Sequence, residues 1–127
     1  MGLDMYFTRE PKGKSSKDPG RYMQRVGYFR KHNALHQWMV DNVQGGVDEC
    51  QSVNVPSATL VQLLGLVQTA LSLRDPSVLP PSAGFFFGST VADELYWQKM
   101  TDTFEMLRTI IDTTDFDNEQ IYYQSCW

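Results

Sequence analysis

The stretch YFRKHNALHQW, residues 28–38, decides the fold of this chain because the spacing of its apolar residues changes within it. Before it, apolar and polar residues alternate with the two-residue period of a half-buried strand, whereas from about Asn33 the apolar residues recur at helical spacing. The same alternation occupies residues 3–9, so residues 1–30 are predicted to form a β-hairpin that leads into a helix. Gly45 and Gly46 are predicted to end this helix, because glycine readily adopts the left-handed conformation of a C-terminal cap.

Beyond this helix, the sequence predicts two more strands and two more helices. Ser57 is a predicted N-cap, and the capping box at residues 90–93 is predicted to start the last helix. Residues 75–81 contain three prolines, which disfavour helix at and just before each of them, so this segment is predicted to be extended. The remaining elements are a strand at 52–55, a helix from Ser57, a helix ending at about Asp112 and a strand at 121–127. We expect a single α+β domain spanning residues 1–127, in which an antiparallel sheet packs against about three helices in the order ββαβααβ.

Composition and charge narrow the class of protein. With 127 residues, of which 42% are hydrophobic and 20% charged, the chain has ordinary globular usage, and no signal peptide or membrane-spanning run is recognisable. We therefore expect a cytoplasmic protein, with Cys50 and Cys126 as thiols and a bridge between them left open. Residues 1–36 hold eight Lys/Arg against three Asp/Glu, or +5, including an exposed basic loop predicted at 10–20, whereas residues 91–127 hold two against eight, or −6.

The junction between the second strand and the first helix is a candidate binding site. Arg30, Lys31 and Asn33 lie where the backbone N–H groups of the first helical turn are unpaired, a combination that suits a phosphate or carboxylate. His36 lies one turn further on and changes charge near neutral pH, and Trp38 completes the predicted ligand-binding segment. In the alternative interpretation, Asn33 only caps the helix, His36 is hydrogen-bonded inside the fold, and the basic side chains lie in solvent.

A second candidate segment is GFFFGS, residues 84–89, because three successive rings in an extended segment cannot all face one core. Phe86 is predicted to remain outside and to stack on a base, and Gly88 and Ser89 are predicted to approach the ligand with their backbone. The alternative is that all three rings pack between helices. The binding hypothesis requires this segment and residues 28–38 to line a common cavity.

Enzymatic chemistry has little support in the sequence. The two histidines and two cysteines lack the spacing of a metal site, and no nucleophile is paired with a recognisable base, so no catalytic residue, metal or cofactor is predicted. Acidic residues on the last helix form a different candidate surface, because they imitate a phosphate backbone to a basic nuclease. The residues predicted for this partner-binding surface are Asp102, Glu105 and Asp112, and the alternative is an ordinary solvated face.

The strings MGLDMY, YFRKHNALHQW followed by DNVQGGVDEC, and GFFFGS together resemble a family of small bacteriophage and prophage proteins that has no established activity. The resemblance implies a phage context. By analogy with small phage proteins, it suggests a non-enzymatic counter-defence factor that sequesters an anionic, nucleotide-like host immune signal in the infected cell. The alternative is an anti-CRISPR-like inhibitor that binds a host defence protein through its acidic helix and aromatic loop. Neither version involves a membrane or direct nucleic-acid binding, and homo-oligomerisation is left open.

Overall fold

The computed structural model describes residues 3–12, 23–81 and 92–127, so the segment at 84–89, with Phe86, Gly88 and Ser89, lies outside the described residues. The order ββαβααβ that the sequence predicts is confirmed. The elements are β1 (Asp4–Pro11), β2 (Gln24–Arg30), α1 (Asn33–Asn42), β3 (Val53–Val55), α2 (Ser57–Leu73), a short 3-10 turn (Pro76–Val78), α3 (Glu94–Thr113) and β4 (Glu119–Cys126).

The described strands form one antiparallel sheet in the order β2-β1-β4-β3. β1 and β4 lie in the middle, paired from Asp4 opposite Cys126 to Pro11 opposite Glu119. β2 pairs with β1, and its register shifts because Gly27 lies opposite Phe7 while Arg25 lies opposite Thr8. Val26 is therefore an extra residue in β2, a β-bulge that bends this strand at the side of the sheet.

The pairing of β1 corrects the predicted start of the basic loop. The basic loop was expected to begin at residue 10, but Glu10 and Pro11 continue the strand opposite Gln120 and Glu119. A proline is tolerated at the end of a strand, where its missing N–H interrupts little of the ladder. Lys12 forms a turn, and the remainder of the predicted loop lies outside the described residues.

One face of the sheet packs on the helices. Met5, Phe7 and Tyr123 alternate with more exposed neighbours and are fully buried, as the two-residue period predicts. Each fully buried apolar side chain of this kind contributes about 1.5–3 kcal/mol relative to exposure. Gly27 lies against α3, because a Cβ at this position would collide with Met106 Sδ. The missing side chain therefore leaves room for the Met106 side chain of α3.

The helix starts differ from the expected ones. Ser57 is the first residue of α2 and not its cap, since Pro56 occupies the cap position without a side-chain hydrogen bond. Asp93, expected as the last residue of a capping box, is itself the N-cap of α3 and accepts a hydrogen bond from Tyr96 N–H at 3.2 Å. Residues 75–81 are also not wholly extended, because the Asp75 side chain accepts from Ser77 N–H at 2.9 Å and supports the 3-10 turn.

In the part of the chain that the structure describes, no helix has both the length and the apolar character needed to cross a membrane. All three helices instead contribute buried side chains to the core beneath the sheet. Gly45 and Gly46 have the positive φ angles, 66° and 81°, that their prediction as a C-terminal cap assumed. They are not the cap, however, because α1 ends at Asn42 and Val43 occupies the C-cap position.

Candidate cationic cup and groove

A left-handed turn at Lys31 connects β2 to α1. Lys31 has a φ angle of 57°, which is rare for a residue with a side chain, and its N–H donates to Leu3 O at 2.7 Å. α1 then begins with His32 in the cap position, with no side-chain cap and no acidic residue in its first turn. The turn costs about 1–3 kcal/mol of strain and brings Arg30 and Lys31 beside the uncapped start of the helix.

His32 links this turn to α3. Its Nε2 lies 2.9 Å from Thr103 Oγ1, while the Thr103 hydroxyl donates to Lys99 O at 2.6 Å. Since that hydroxyl has only one hydrogen, His32 Nε2–H must be the donor to Thr103. The ring also packs edge-on against Phe29, with centroids 5.1 Å apart.

Burial, and to a smaller degree the charge of Lys99, lowers the pKa of His32 to about 3. The ring is only 2% exposed, so a proton on it would be poorly solvated. At neutral pH His32 is therefore a neutral side chain, held in one tautomer by Thr103.

A small depression, which we call the cup, lies between this turn and the start of α3. Its volume is about 40 Å³, enough for a few waters or for one compact group such as a carboxylate or phosphate. The residues that line it are Lys31, His32, Asn33, Asp93, Leu95, Tyr96 and Lys99.

Two lysines, Lys31 and Lys99, line the cup. The Lys99 ammonium donates to the backbone oxygen of Lys31, with Nζ 3.1 Å from Lys31 O. Burial lowers the pKa of Lys99, the nearby Lys31 charge lowers it further, and Asp93 opposes both effects. Within the described residues, neither lysine has a carboxylate at ion-pair distance. With two lysines, one aspartate and a neutral His32, the formal charge of the cup is +1.

A wider groove of about 480 Å³ continues from the cup between β2 and α3. It shares Leu95 and Lys99 with the cup, and Arg30 adds a further cation at its edge. Its lining residues are Tyr28, Phe29, Arg30, Leu95, Gln98, Lys99, Asp102 and Met106. The cup and the groove therefore suit the two parts of a ligand that has an anionic end and a partly apolar body.

His36 is absent from the cup and from the groove, which corrects its assignment to the ligand site. Its ring is fully buried, with Nδ1 2.6 Å from Tyr123 Oη and Nε2 3.0 Å from Asp48 Oδ2. Burial, followed by the charge of Asp48, raises the pKa of Tyr123 well above its ordinary value. The phenol therefore stays protonated, and the His36 ring lies between this hydroxyl and the Asp48 carboxylate.

This Asp48–His36–Tyr123 chain has the connectivity of a catalytic triad but not its access. Tyr123 is fully buried, so its oxygen does not reach a substrate. Asp48 Oδ1 also accepts from Trp127 Nε1 at 3.0 Å, so the chain joins α1, the loop after it and the end of β4. His36 is thus hydrogen-bonded inside the fold, as in the alternative interpretation of this residue.

The other predicted site residues divide between the cup, the groove and the rest of the molecule. Asn33 is buried at the cup, whereas Trp38 is half-buried against the core and lines neither depression. Asp102, predicted for the acidic partner surface, lines the groove together with Arg30. Glu105 and Asp112 are exposed further along α3. Whether any of these residues binds a ligand or partner stays a prediction.

Five residues of the cup were not predicted as site residues from the sequence: His32, Asp93, Leu95, Tyr96 and Lys99. Lys99 could have been singled out from the sequence, because residues 91–127 contain only two basic residues, of which it is one, and eight acidic residues. His32 directly follows Arg30 and Lys31, which also marked it. In the described part of the chain, no group of His, Cys, Asp and Glu residues is arranged to hold a metal ion.

Comparison of the chain with protein-family models, with curated proteins and with solved structures gives no match in any of the three.

Proposed function

We propose that this chain is a non-enzymatic binding protein that holds the anionic group of its ligand in the cup. The observation that carries the proposal is the pair Lys31 and Lys99, two lysines that line one small depression without an ion-paired carboxylate among the described residues, close enough for the charge of Lys31 to lower the pKa of Lys99. Like charges brought together repel each other, and an anion between them relieves this repulsion. A carboxylate or phosphate accepts hydrogen bonds from both and suits the volume of the cup.

Among the described residues that line the cup, Asp93 is the one that carries a negative charge. Its carboxylate accepts the Tyr96 N–H at the start of α3, where the helix dipole also stabilises a negative charge. Capping of α3 and the helix dipole therefore explain why Asp93 is acidic, without a role for it in ligand binding. Asp93 is expected to weaken anion binding and not to prevent it.

The resemblance to phage proteins extends the proposal to a biological role. In this version the ligand is nucleotide-like, its phosphate lies in the cup, and the protein sequesters a host immune signal during infection. The groove beside the cup offers room for the remainder of such a molecule.

Thermal unfolding with added anions tests the proposal. Inorganic phosphate, nucleoside monophosphates and cyclic dinucleotides are titrated separately. A ligand at a hundredfold its Kd adds about 2.7 kcal/mol, which corresponds to a rise in Tm of roughly 10 °C for a domain of this size. The double variant K31N K99Q is expected to lose the response, and asparagine is chosen at position 31 because it tolerates a positive φ.

The variant K12Q is the matched control, because it removes an exposed lysine that does not line the cup. It is expected to respond like the wild type. If no anion raises the Tm of the wild type, or if K12Q loses the response as fully as K31N K99Q, the cup is not an anion site.

The second candidate function, inhibition of a host defence protein through the acidic helix, is favoured by the exposure of Asp102, Glu105 and Asp112 on α3. The surface is mixed, however, because Arg108 Nε lies 4.0 Å from Asp112 Oδ2. Neutralising the three acids as D102N, E105Q and D112N is expected to abolish capture of a partner from bacterial lysate under this candidate. Unchanged capture would exclude the acidic helix as the contact surface.

A further inference from the structure

The groove runs along a free edge of the sheet. Among the described strands, β2 pairs only with β1, so its other side presents backbone N–H and C=O groups without a strand partner. The bulge at Val26 distorts the first part of this edge, as bulges on edge strands commonly do. From Gly27 to Arg30 the pairing with β1 is regular again, which leaves four residues, or about 13 Å, of extended edge.

The groove between this edge and α3 is suited to side chains. Phe29 and Met106 give it an apolar base, while Tyr28 and Leu95 are 47% and 57% exposed, high values for large apolar residues. Exposed apolar side chains gathered around a depression mark a surface that a partner covers. An extended segment added to β2 would direct alternate side chains into this space, as in other complexes formed by strand addition.

The cup fixes the direction and the end of such a segment. β2 runs towards Lys31, so the cup lies at the carboxyl end of the free edge. An internal peptide has no negative charge at this point in its backbone, whereas a chain terminus carries a carboxylate there. A carboxylate placed between Lys31 and Lys99 meets two cations, and a peptide that ends there runs parallel to β2.

We propose that the groove binds the last residues of an extended peptide, which adds to β2 as a parallel strand and places its terminal carboxylate in the cup. This inference rests on the proposed function, because the carboxylate is the anion that the cup holds. It specifies that anion as a protein carboxyl terminus and assigns Phe29, Leu95 and Met106 to the peptide side chains.

A test begins with a random library of five-residue peptides displayed with free carboxyl termini and selected on the full chain. The selected peptide is then synthesised in two forms, as the free acid and as the terminal amide, and both are titrated by calorimetry. The amide is expected to bind about tenfold more weakly or worse, the loss that corresponds to roughly 1.4 kcal/mol. The variant K31N K99Q is expected to bind both forms equally weakly, whereas K12Q preserves the preference for the acid.

Hydrogen exchange provides the second measurement. Binding of the free acid is expected to slow amide exchange within residues 27–30, because the peptide backbone pairs with β2. Equal affinity of acid and amide for the wild type would overturn the inference, and so would unchanged exchange in β2. Neither result depends on whether the double variant folds.

The same samples separate this inference from the proposed function. If no peptide is selected but inorganic phosphate stabilises the wild type and not K31N K99Q, the cup is an anion site and the peptide inference is wrong. If neither peptide nor phosphate binds, both fail.

Discussion

Acidification is expected to destabilise this protein through His32 before most of its carboxylates titrate. The pKa of His32 is about 3 in the folded chain, because its ring is buried and lies near Lys99. In the unfolded chain the pKa returns to about 6.5. Between these values the unfolded state binds a proton that the folded state does not, so the free energy of unfolding falls as the pH falls. Above the unfolded pKa His32 is neutral in both states and has no effect.

The size of the effect follows from the two pKa values. At pH 5.0 the difference in proton binding amounts to about 2 kcal/mol of lost stability relative to pH 8, and the slope approaches about 1.4 kcal/mol per pH unit. For a domain whose total stability is typically about 5–15 kcal/mol, this is a substantial fraction. The loss ends near pH 3, where the folded state also binds the proton.

Urea unfolding of the wild type and of H32Q at several values between pH 4.5 and 8 measures the effect. The glutamine amide can replace the Nε2–H donor to Thr103 but does not titrate. Carboxylates common to both proteins cancel in the difference between the two curves. The wild type is expected to lose about 2 kcal/mol more than H32Q between pH 8 and 5. Parallel curves would refute the assignment of His32 as a buried neutral ring.

Three further substitutions test other parts of the fold and site. Y123F removes the hydroxyl that is hydrogen-bonded to His36 Nδ1 and is expected to cost about 1–3 kcal/mol in urea unfolding, and a loss below about 0.5 kcal/mol would contradict the buried chain. G27A places a methyl against Met106 Sδ, which belongs to a flexible side chain that can shift, so it is expected to cost less than about 1 kcal/mol. A loss above about 2 kcal/mol in urea unfolding would show that Met106 cannot move. D93N keeps a good helix cap but removes the negative charge from the cup. The affinity for phosphate, measured by calorimetry, is expected to rise, while stability changes little. An unchanged affinity would place the anion elsewhere.

The elements of this fold could be predicted from the sequence because each has a clear period. Met5 and Phe7 alternate with polar residues, and Leu60, Leu63 and Val67 recur at helical spacing, and all five are buried as expected. The helix caps were harder to predict, because at each helix start a neighbouring residue is of an equally suitable type. Pro56 and Asp93 occupy the N-cap positions that the sequence assigned to Ser57 and to residue 90. Boundaries depend on backbone geometry that propensity alone does not determine.

The candidate site could be predicted only on the side where its residues are contiguous. Arg30, Lys31 and Asn33 follow one another along the chain, but Lys99 lies 68 residues beyond Lys31. Its arrival at the cup depends on how α3 packs across β2, which includes the room that Gly27 leaves for the Met106 side chain. The two histidines illustrate the same difficulty, because they lie only four residues apart and packing decides that His32 meets α3 whereas His36 meets Tyr123.

The position of His32 connects the stability of the fold to the charge of the cup. Its ring lines the cup beside Lys31 and Lys99, so a protonated His32 would add a third cation to a small space. Burial against Phe29 and the single hydrogen bond to Thr103 keep the ring neutral and allow the two lysines to remain charged. An anion in the cup would partly offset the effect of burial on His32, because its negative charge stabilises the protonated ring. Proton binding at His32 and anion binding in the cup must therefore strengthen each other by the same factor, since coupling between two binding equilibria is reciprocal.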